Sequence, residues 1–272
     1  LRTFLELSAD VDEILVFRRR EWGKLRNFPD FLRFLRQLSN ADWDCVIDFQ
    51  GLFRSGVCSY FAGDRSNTFG FADARELAPK FYGRSIPVPE HLQHAVDKNI
   101  FLVNQVLQAD EPYAPPRFKN LPELEAEADQ ILAEHHLDKQ LIAVAPASRW
   151  PSKTWPPSFF AAAIAAVRDS RPDVQFWLLG TETDIGKEVL DRTPGNTVNL
   201  MGRTSLPLMV QLLRRSRALL TNDSGPMHIA AALGVPTVAL FGPTSPEKTG
   251  PYGQGHRVLR TKVDCAPCLE RE

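Results

Sequence analysis

No stretch of this chain is apolar for the roughly 18 residues that a membrane-crossing helix needs. Cysteine is scarce, with four among 272 residues, too few for a disulfide framework at this length. Cys45 and Cys58 fall in apolar surroundings, as buried thiols do, and this usage suggests a reducing cytoplasm. Cys265 and Cys268 form a lone Cys-x-x-Cys with no second pair to complete a zinc site and no thioredoxin-like context around it. Net charge is −1, so no global cationic field recommends the chain to nucleic acid. No Gly-x-Gly-x-x-Gly follows any apolar run, which sets aside the usual dinucleotide fingerprint. Internal repeats and low-complexity tracts are missing too.

What is present is an ordinary globular composition, 43% hydrophobic and 24% charged, long enough for two domains. Apolar runs alternate with amphipathic segments, the mark of an α/β fold with mainly parallel sheets. In the first half, Glu13 to Phe17 and Cys45 to Phe49 read as strands. Asp30 to Leu38, Leu52 to Phe61 and Ala95 to Leu107 read as helices. The proline-rich stretch around Pro112, Pro115 and Pro116 reads as a linker, which gives domains over 1–110 and 121–272 joined by 111–120. The helix Leu121 to His136 opens the second domain. Its strands are Leu141 to Ala145, Val174 to Leu179, Thr197 to Leu200, Ala218 to Thr221 and Thr237 to Phe241, and its helices are Ser158 to Arg168, Leu206 to Arg215 and Pro226 to Leu233. These strands are short and apolar on both faces, as in a sheet covered by helices on each side.

The richest stretch runs from Thr221 to Pro236. A short buried strand breaks at Asn222-Asp223-Ser224-Gly225, and a helix follows that ends at Gly234 and Pro236. Pro226 has no N–H to lose and suits a first helical turn. Free N–H groups and the helix dipole favour an anion there, and His228 projects from that turn beside Asp223. This is a candidate diphosphate site. Lys153, just past a strand, is a point charge suited to phosphate, and Ser148 offers a hydroxyl. Glu182, or its rival Asp184, follows another strand, where an acid can hold ribose hydroxyls. In the first half, Asp48, Gln50 and Arg54 sit at a strand-to-helix turn, and Arg54 suits an anionic ligand. His94 is a general base by type, though a satisfied histidine fits it better. Between Ile14 and Arg36 there are seven Lys or Arg against two Asp or Glu, with Trp22 and several Phe among them. Such a segment can lie on an anionic membrane surface.

Four blocks then resemble glycosyltransferase family 9, the bacterial heptosyltransferases, and they occur in the family's order. They are Asp223-Ser224-Gly225-Pro226-Met227-His228 with Leu240-Phe241-Gly242-Pro243-Thr244; Ala145 to Pro156; Val46 to Ser55; and Arg75-Glu76-Leu77 through Phe81-Tyr82 to Gln93-His94-Ala95-Val96, which is most like heptosyltransferase I. The resemblance implies a GT-B fold, two Rossmann-like domains facing across a cleft. It implies an inverting transfer of L-glycero-D-manno-heptose from ADP-heptose to the Kdo of the lipopolysaccharide inner core, at the cytoplasmic face of the inner membrane. Ser148, Lys153, Glu182, Asp223, Ser224, Gly225 and His228 then form the donor site, and Arg54 with Gln50 the acceptor site. The partners are a Kdo-lipid A type acceptor and an anionic membrane surface, with no nucleic acid, cofactor or metal. The family's base is the Asp of a Gly-Asp turn after the first strand. That turn is expected upstream of Leu1, with further family elements beyond the last residue, which leaves Asp48 as the alternative base. Other readings are a type II or III heptosyltransferase, another nucleotide-sugar transferase, a sugar-nucleotide epimerase or a non-catalytic binding module.

Overall fold

The computed structural model describes residues 2–22, 25–137, 140–193, 195 and 197–271. It divides into two compact units, Leu15–Ala114 and Leu1–Ile14 with Pro115–Glu272. No helix of the described residues is long and apolar enough to cross a membrane.

The Leu15–Ala114 unit is built on a three-stranded parallel sheet. In chain order its elements are α1 (Phe28–Ser39), β1 (Val46–Asp48), α2 (Phe53–Ala62), β2 (Thr68–Phe71), β3 (Arg84–Ile86) and α3 (Ala95–Leu107), and the strand order is β1-β2-β3. Helix α1 starts with a proline in its first turn and buries Leu35 and Leu38. Helix α3 starts behind His94, whose Nδ1 accepts the Val96 N–H at 3.1 Å. The histidine is thus a helix cap, the satisfied role that the sequence favoured for it.

The turn after β1 depends on Asp48, which is only 5% exposed. Its Oδ1 accepts the backbone N–H of Gln50 at 2.8 Å and of Gly51 at 3.1 Å. Its Oδ2 accepts the Tyr82 hydroxyl at 2.6 Å. Gly51 has φ +63°, and a Cβ there would press on Ala74 at 2.9 Å, so both conformation and space call for glycine. Tyr82 reaches Asp48 across Gly70, where a Cβ would come within 2.3 Å of the tyrosine ring. Burial, and then the Asp48 carboxylate, push the Tyr82 hydroxyl well above its ordinary pKa.

The other unit carries α4 (Pro122–Glu134), β4 (Gln140–Ala145), α5 (Pro157–Ser170), β5 (Val174–Leu178), α6 (Thr183–Asp191), β6 (Thr197–Asn199), α7 (Leu206–Arg214), β7 (Ala218–Asn222), α8 (Gly225–Ala232), β8 (Thr237–Phe241) and β9 (Arg257–Arg260). Its six strands run in the order β6-β5-β4-β7-β8-β9, and every pairing is parallel. Alternate residues fill two cores. Ala143, Ala145, Trp177 and Leu219 pack with α7 on one face, and Val144, Phe176 and Leu178 pack with Phe160 and Ile164 of α5 on the other. Trp177 is fully buried, and its indole N–H donates to Ser216 Oγ at 2.9 Å.

Three sequence expectations change. Glu13 to Phe17 forms no strand. Its apolar end, Phe17, is taken up instead by an aromatic cluster, with ring centroids 5.1 Å from Trp22 and 5.9 Å from Phe34. Residues 1–14, assigned by sequence to the first domain, pack with the second unit. Leu7 enters its core, Phe4 meets Phe118 edge-on at 5.8 Å, and Ser8 bridges Phe118 in antiparallel fashion. Asp10 also accepts from Arg117 Nε at 2.6 Å. Finally, Glu182 and Asp184 do not share a loop: Glu182 is the N-cap residue of α6, and Asp184 lies in its first turn.

Removing the Tyr82 hydroxyl should weaken the first unit without touching the second. Tyr82→Phe takes a hydrogen bond from a buried carboxylate, a loss of about 1.5–3 kcal/mol. Urea unfolding followed by fluorescence should show that loss; a wild-type midpoint would mean that Asp48 does not depend on Tyr82.

Candidate functional site

The strand order locates the site. Running outward from β4, the chain goes to β5 and β6 on one side, then returns to lay β7, β8 and β9 on the other. The order therefore reverses between β4 and β7. In open parallel sheets, ligands bind beyond the carboxyl ends of the strands at such a reversal.

Two loops meet there. The loop after β4 carries Ser148 and, in a single 3₁₀ turn of Pro151–Lys153, Lys153. The turn after β7 carries Asp223, Ser224 and the start of α8. Lys153 Nζ lies 2.6 Å from Asp223 Oδ2, with side chains 16% and 6% exposed. The same carboxylate oxygen accepts the Thr244 hydroxyl at 2.6 Å. Ser148 Oγ donates to the Asp223 carbonyl at 3.3 Å. Lys153 also sits over the Trp150 indole, 4.4 Å from its centroid. The lysine is thus held between the Asp223 carboxylate and the Trp150 ring.

Asn222, fully buried at the end of β7, ties both ends of the lysine loop to the sheet. Its Nδ2 donates to the Pro146 carbonyl at 2.7 Å, and its Oδ1 accepts the Trp155 N–H at 3.1 Å. Neither Asn222 nor Thr244 was among the expected site residues. Thr244 closes a motif block and Asn222 directly precedes one, but their partners are far away in sequence, so spacing alone gave no sign of them.

Helix α8 opens with Ser224 as its N-cap, with no hydrogen bond from that side chain to the helix. Ser224 Oγ instead lies 3.2 Å from Thr221 Oγ1. Gly225 and His228 are exposed on the first turn, and a Cβ at Gly225 would meet open space. Glu182 is exposed just past β5, as the N-cap residue of α6, and its Oε1 accepts the Thr181 hydroxyl at 3.3 Å. All seven expected donor residues therefore stand at the carboxyl-end edge of one sheet. The structure brings Ser148, Lys153 and Asp223 into contact.

In the other unit, Arg54 Nε donates to Gln50 Oε1 at 3.3 Å, which pairs the two expected acceptor residues on one side of the β1–α2 turn. Asp48, the alternative base, is a poor fit to that task. It is buried and both oxygens already accept hydrogen bonds, so its geometry is that of a brace. The cationic segment near the start forms a helical turn, Arg19–Trp22, a 3₁₀ turn, Leu25–Asn27, and then α1. Arg18, Arg19, Arg20 and Arg26 are exposed around the aromatic cluster, while Gly23 and Lys24 of this segment lie outside the described residues. Cys265 and Cys268 are exposed free thiols. Among the described residues, no group of three His, Cys, Asp or Glu side chains is placed to hold a metal ion.

Residues 31–272 match glycosyltransferase family 9 (heptosyltransferase). The chain is 32% identical to lipopolysaccharide heptosyltransferase 1 of Pseudomonas aeruginosa, over 94% of this chain and 70% of that protein. It is 30% identical to lipopolysaccharide heptosyltransferase 2 of Escherichia coli, over 76% of this chain and 62% of that one. Among solved structures, E. coli heptosyltransferase WaaC with ADP superposes with a TM-score of 0.75 at 24% identity, covering 94% of this chain and 80% of that one. A family 9 glycosyl transferase from Veillonella parvula superposes at 0.78, also at 24% identity, over 96% and 74%. WaaC has also been solved with ADP-2-deoxy-2-fluoro heptose. The chain belongs to glycosyltransferase family 9, with the GT-B fold class and the lipopolysaccharide-core heptosyltransferases as its relatives.

The Asn222 clamp yields a local test. Asn222→Ala orphans the Pro146 carbonyl and the Trp155 N–H, at about 1–3 kcal/mol for a buried group left unpaired. Hydrogen exchange at the Trp155 amide should accelerate more than at the amides of β4. Unchanged protection would show that the loop is held by other contacts.

Proposed function

We propose that this chain transfers L-glycero-D-manno-heptose from ADP-heptose to the Kdo of a lipopolysaccharide inner core, with inversion, as a type I enzyme. The observation that carries the reading is the Lys153–Asp223 pair at the β4–β7 reversal of a family 9 chain. WaaC, solved with ADP and with a fluorinated ADP-heptose, supports the choice of donor. Type I is favoured by the similarity to a type 1 enzyme over 94% of this chain, against 76% for the type 2 enzyme.

In an inverting transfer, an acceptor hydroxyl attacks the anomeric carbon from the face opposite the diphosphate. The bond from that carbon to the diphosphate oxygen breaks, its electron pair leaves with ADP, and the hydroxyl proton passes to a base. Charge grows on the diphosphate as the bond breaks, so fixed cations and N–H donors aimed there lower the barrier. Lys153 is the cation. Asp223 does not touch the diphosphate, because two anions in contact repel; it holds the ammonium in place, with Thr244 fixing the carboxylate. The first turn of α8, with Gly225 and His228, adds N–H and imidazole donors. Ser148 and Ser224 flank the phosphates, and Glu182 takes the ribose hydroxyls. Arg54, with Gln50, meets the anionic acceptor. The exposed arginines from Arg18 to Arg26, set around the aromatic cluster, rest on the anionic lipid at the cytoplasmic face of the inner membrane.

Lys153→Ala should raise the ADP dissociation constant about ten- to a hundredfold, the worth of a charge-assisted hydrogen bond at about 1.5–3 kcal/mol. It also orphans a buried carboxylate, so the fold must be checked. Lys153→Ala with Asp223→Asn removes that charge, and should recover melting temperature without recovering ADP affinity. Wild-type affinity in either variant removes Lys153 from the site.

Vesicle sedimentation tests the membrane contact. Binding to anionic vesicles should fall with salt above about 0.1 M, and should be lost when Arg18, Arg19 and Arg20 are all changed to Glu. Equal sedimentation of both proteins would show that the segment does not meet lipid.

A further inference from the structure

We infer that Arg271 is a second cation for the donor diphosphate, delivered by the segment that follows β9; this rests on the donor-site reading above. That segment is tied to both loops of the site. The Leu269 N–H donates to the Pro243 carbonyl at 2.9 Å, and the Glu270 carbonyl accepts the Ser152 hydroxyl at 2.7 Å. Each anchor is one residue from the site, since Pro243 precedes Thr244 and Ser152 precedes Lys153. The next residue lays its guanidinium over the Trp150 indole, 4.9 Å from the centroid, and Lys153 occupies the same ring at 4.4 Å. Two cations thus share one aromatic residue of the donor loop.

Charge balance gives the second cation its reason. Lys153 and Asp223 together are close to neutral, and a nucleoside diphosphate carries at least two negative charges. The pair orients an ammonium but brings little net positive charge. The helix N-terminus supplies only about half a charge. Arg271 is exposed, and no carboxylate among the described residues forms an ion pair with it. A guanidinium stacked on an indole keeps its N–H edge free to grip a phosphate through two parallel bonds. Arg271 therefore adds the full positive charge that the Lys153–Asp223 pair lacks.

Calorimetry with ADP and with adenosine tests this on the whole chain, comparing wild type with Arg271→Gln, Arg271→Lys and Lys153→Ala. Arg271→Gln should weaken ADP about tenfold, the scale of one charge-assisted contact, and leave adenosine unchanged. Its ADP affinity should also depend less steeply on salt, and Arg271→Lys should recover part of the loss. Wild-type ADP binding by Arg271→Gln overturns the inference, as does an equal loss of ADP and adenosine, which would make the segment a structural strap only. If Lys153→Ala weakens ADP and Arg271→Gln does not, the second cation alone is wrong. If Lys153→Ala is silent too, the donor-site reading falls with it.

Discussion

Burying the Lys153 ammonium against the Asp223 carboxylate takes two charges out of water, and the carboxyl-end edge of the sheet is arranged around that constraint. Desolvation of such a pair is offset only when the geometry is good and the remaining lone pairs find donors. Thr244 supplies one donor to the carboxylate, and the Trp150 ring gives the ammonium a polarisable face. Well-packed apolar residues often serve stability as well as a buried ion pair does, so stability is a weak reason for keeping charges here. Under the proposed function a fixed ammonium facing the donor phosphates is a better one, because a preorganised cation needs no reorientation when charge develops on a leaving group.

The sheet makes that preorganisation possible. Each strand around the reversal is fully paired by parallel neighbours and covered on both faces, so the ends of β4 and β7 cannot drift apart. Asn222 then transfers this rigidity to the lysine loop through one amide bonded to both of its ends. Glu182, past the end of β5, stays exposed, and its carboxylate accepts the neighbouring Thr181 hydroxyl.

Much of this was legible in the chain. Apolar runs gave β4, β5, β7 and β8 within a residue or so, and Pro226 with Gly234 bracketed α8, because those signals are local. Strands β2 and β3 were missed: each is three or four residues long, and β2 holds Gly70 where alternation would ask for a packing side chain. The misplacement of residues 1–14 has the same root, since Leu7 and Phe4 find their partners beyond Pro115, and no periodicity reveals a distant partner. Residue types with obvious chemistry, namely Lys153, Asp223 and His228, could be singled out from the sequence as candidates. Residues that act by holding others could not, namely Asn222 and Thr244 around the lysine loop and Tyr82 behind Asp48. The role of Asp48 as a brace and the one proposed for Arg271 likewise depend on contacts that only the folded chain displays.

A crystal structure of this chain with ADP bound is the most direct test of the central claim. The account places the diphosphate beyond the ends of β4 and β7, with a phosphate oxygen about 2.7–2.9 Å from Lys153 Nζ and the Lys153–Asp223 contact retained behind it. ADP bound elsewhere, or bound here with Lys153 turned away and Asp223 facing the phosphates through another cation, would contradict it.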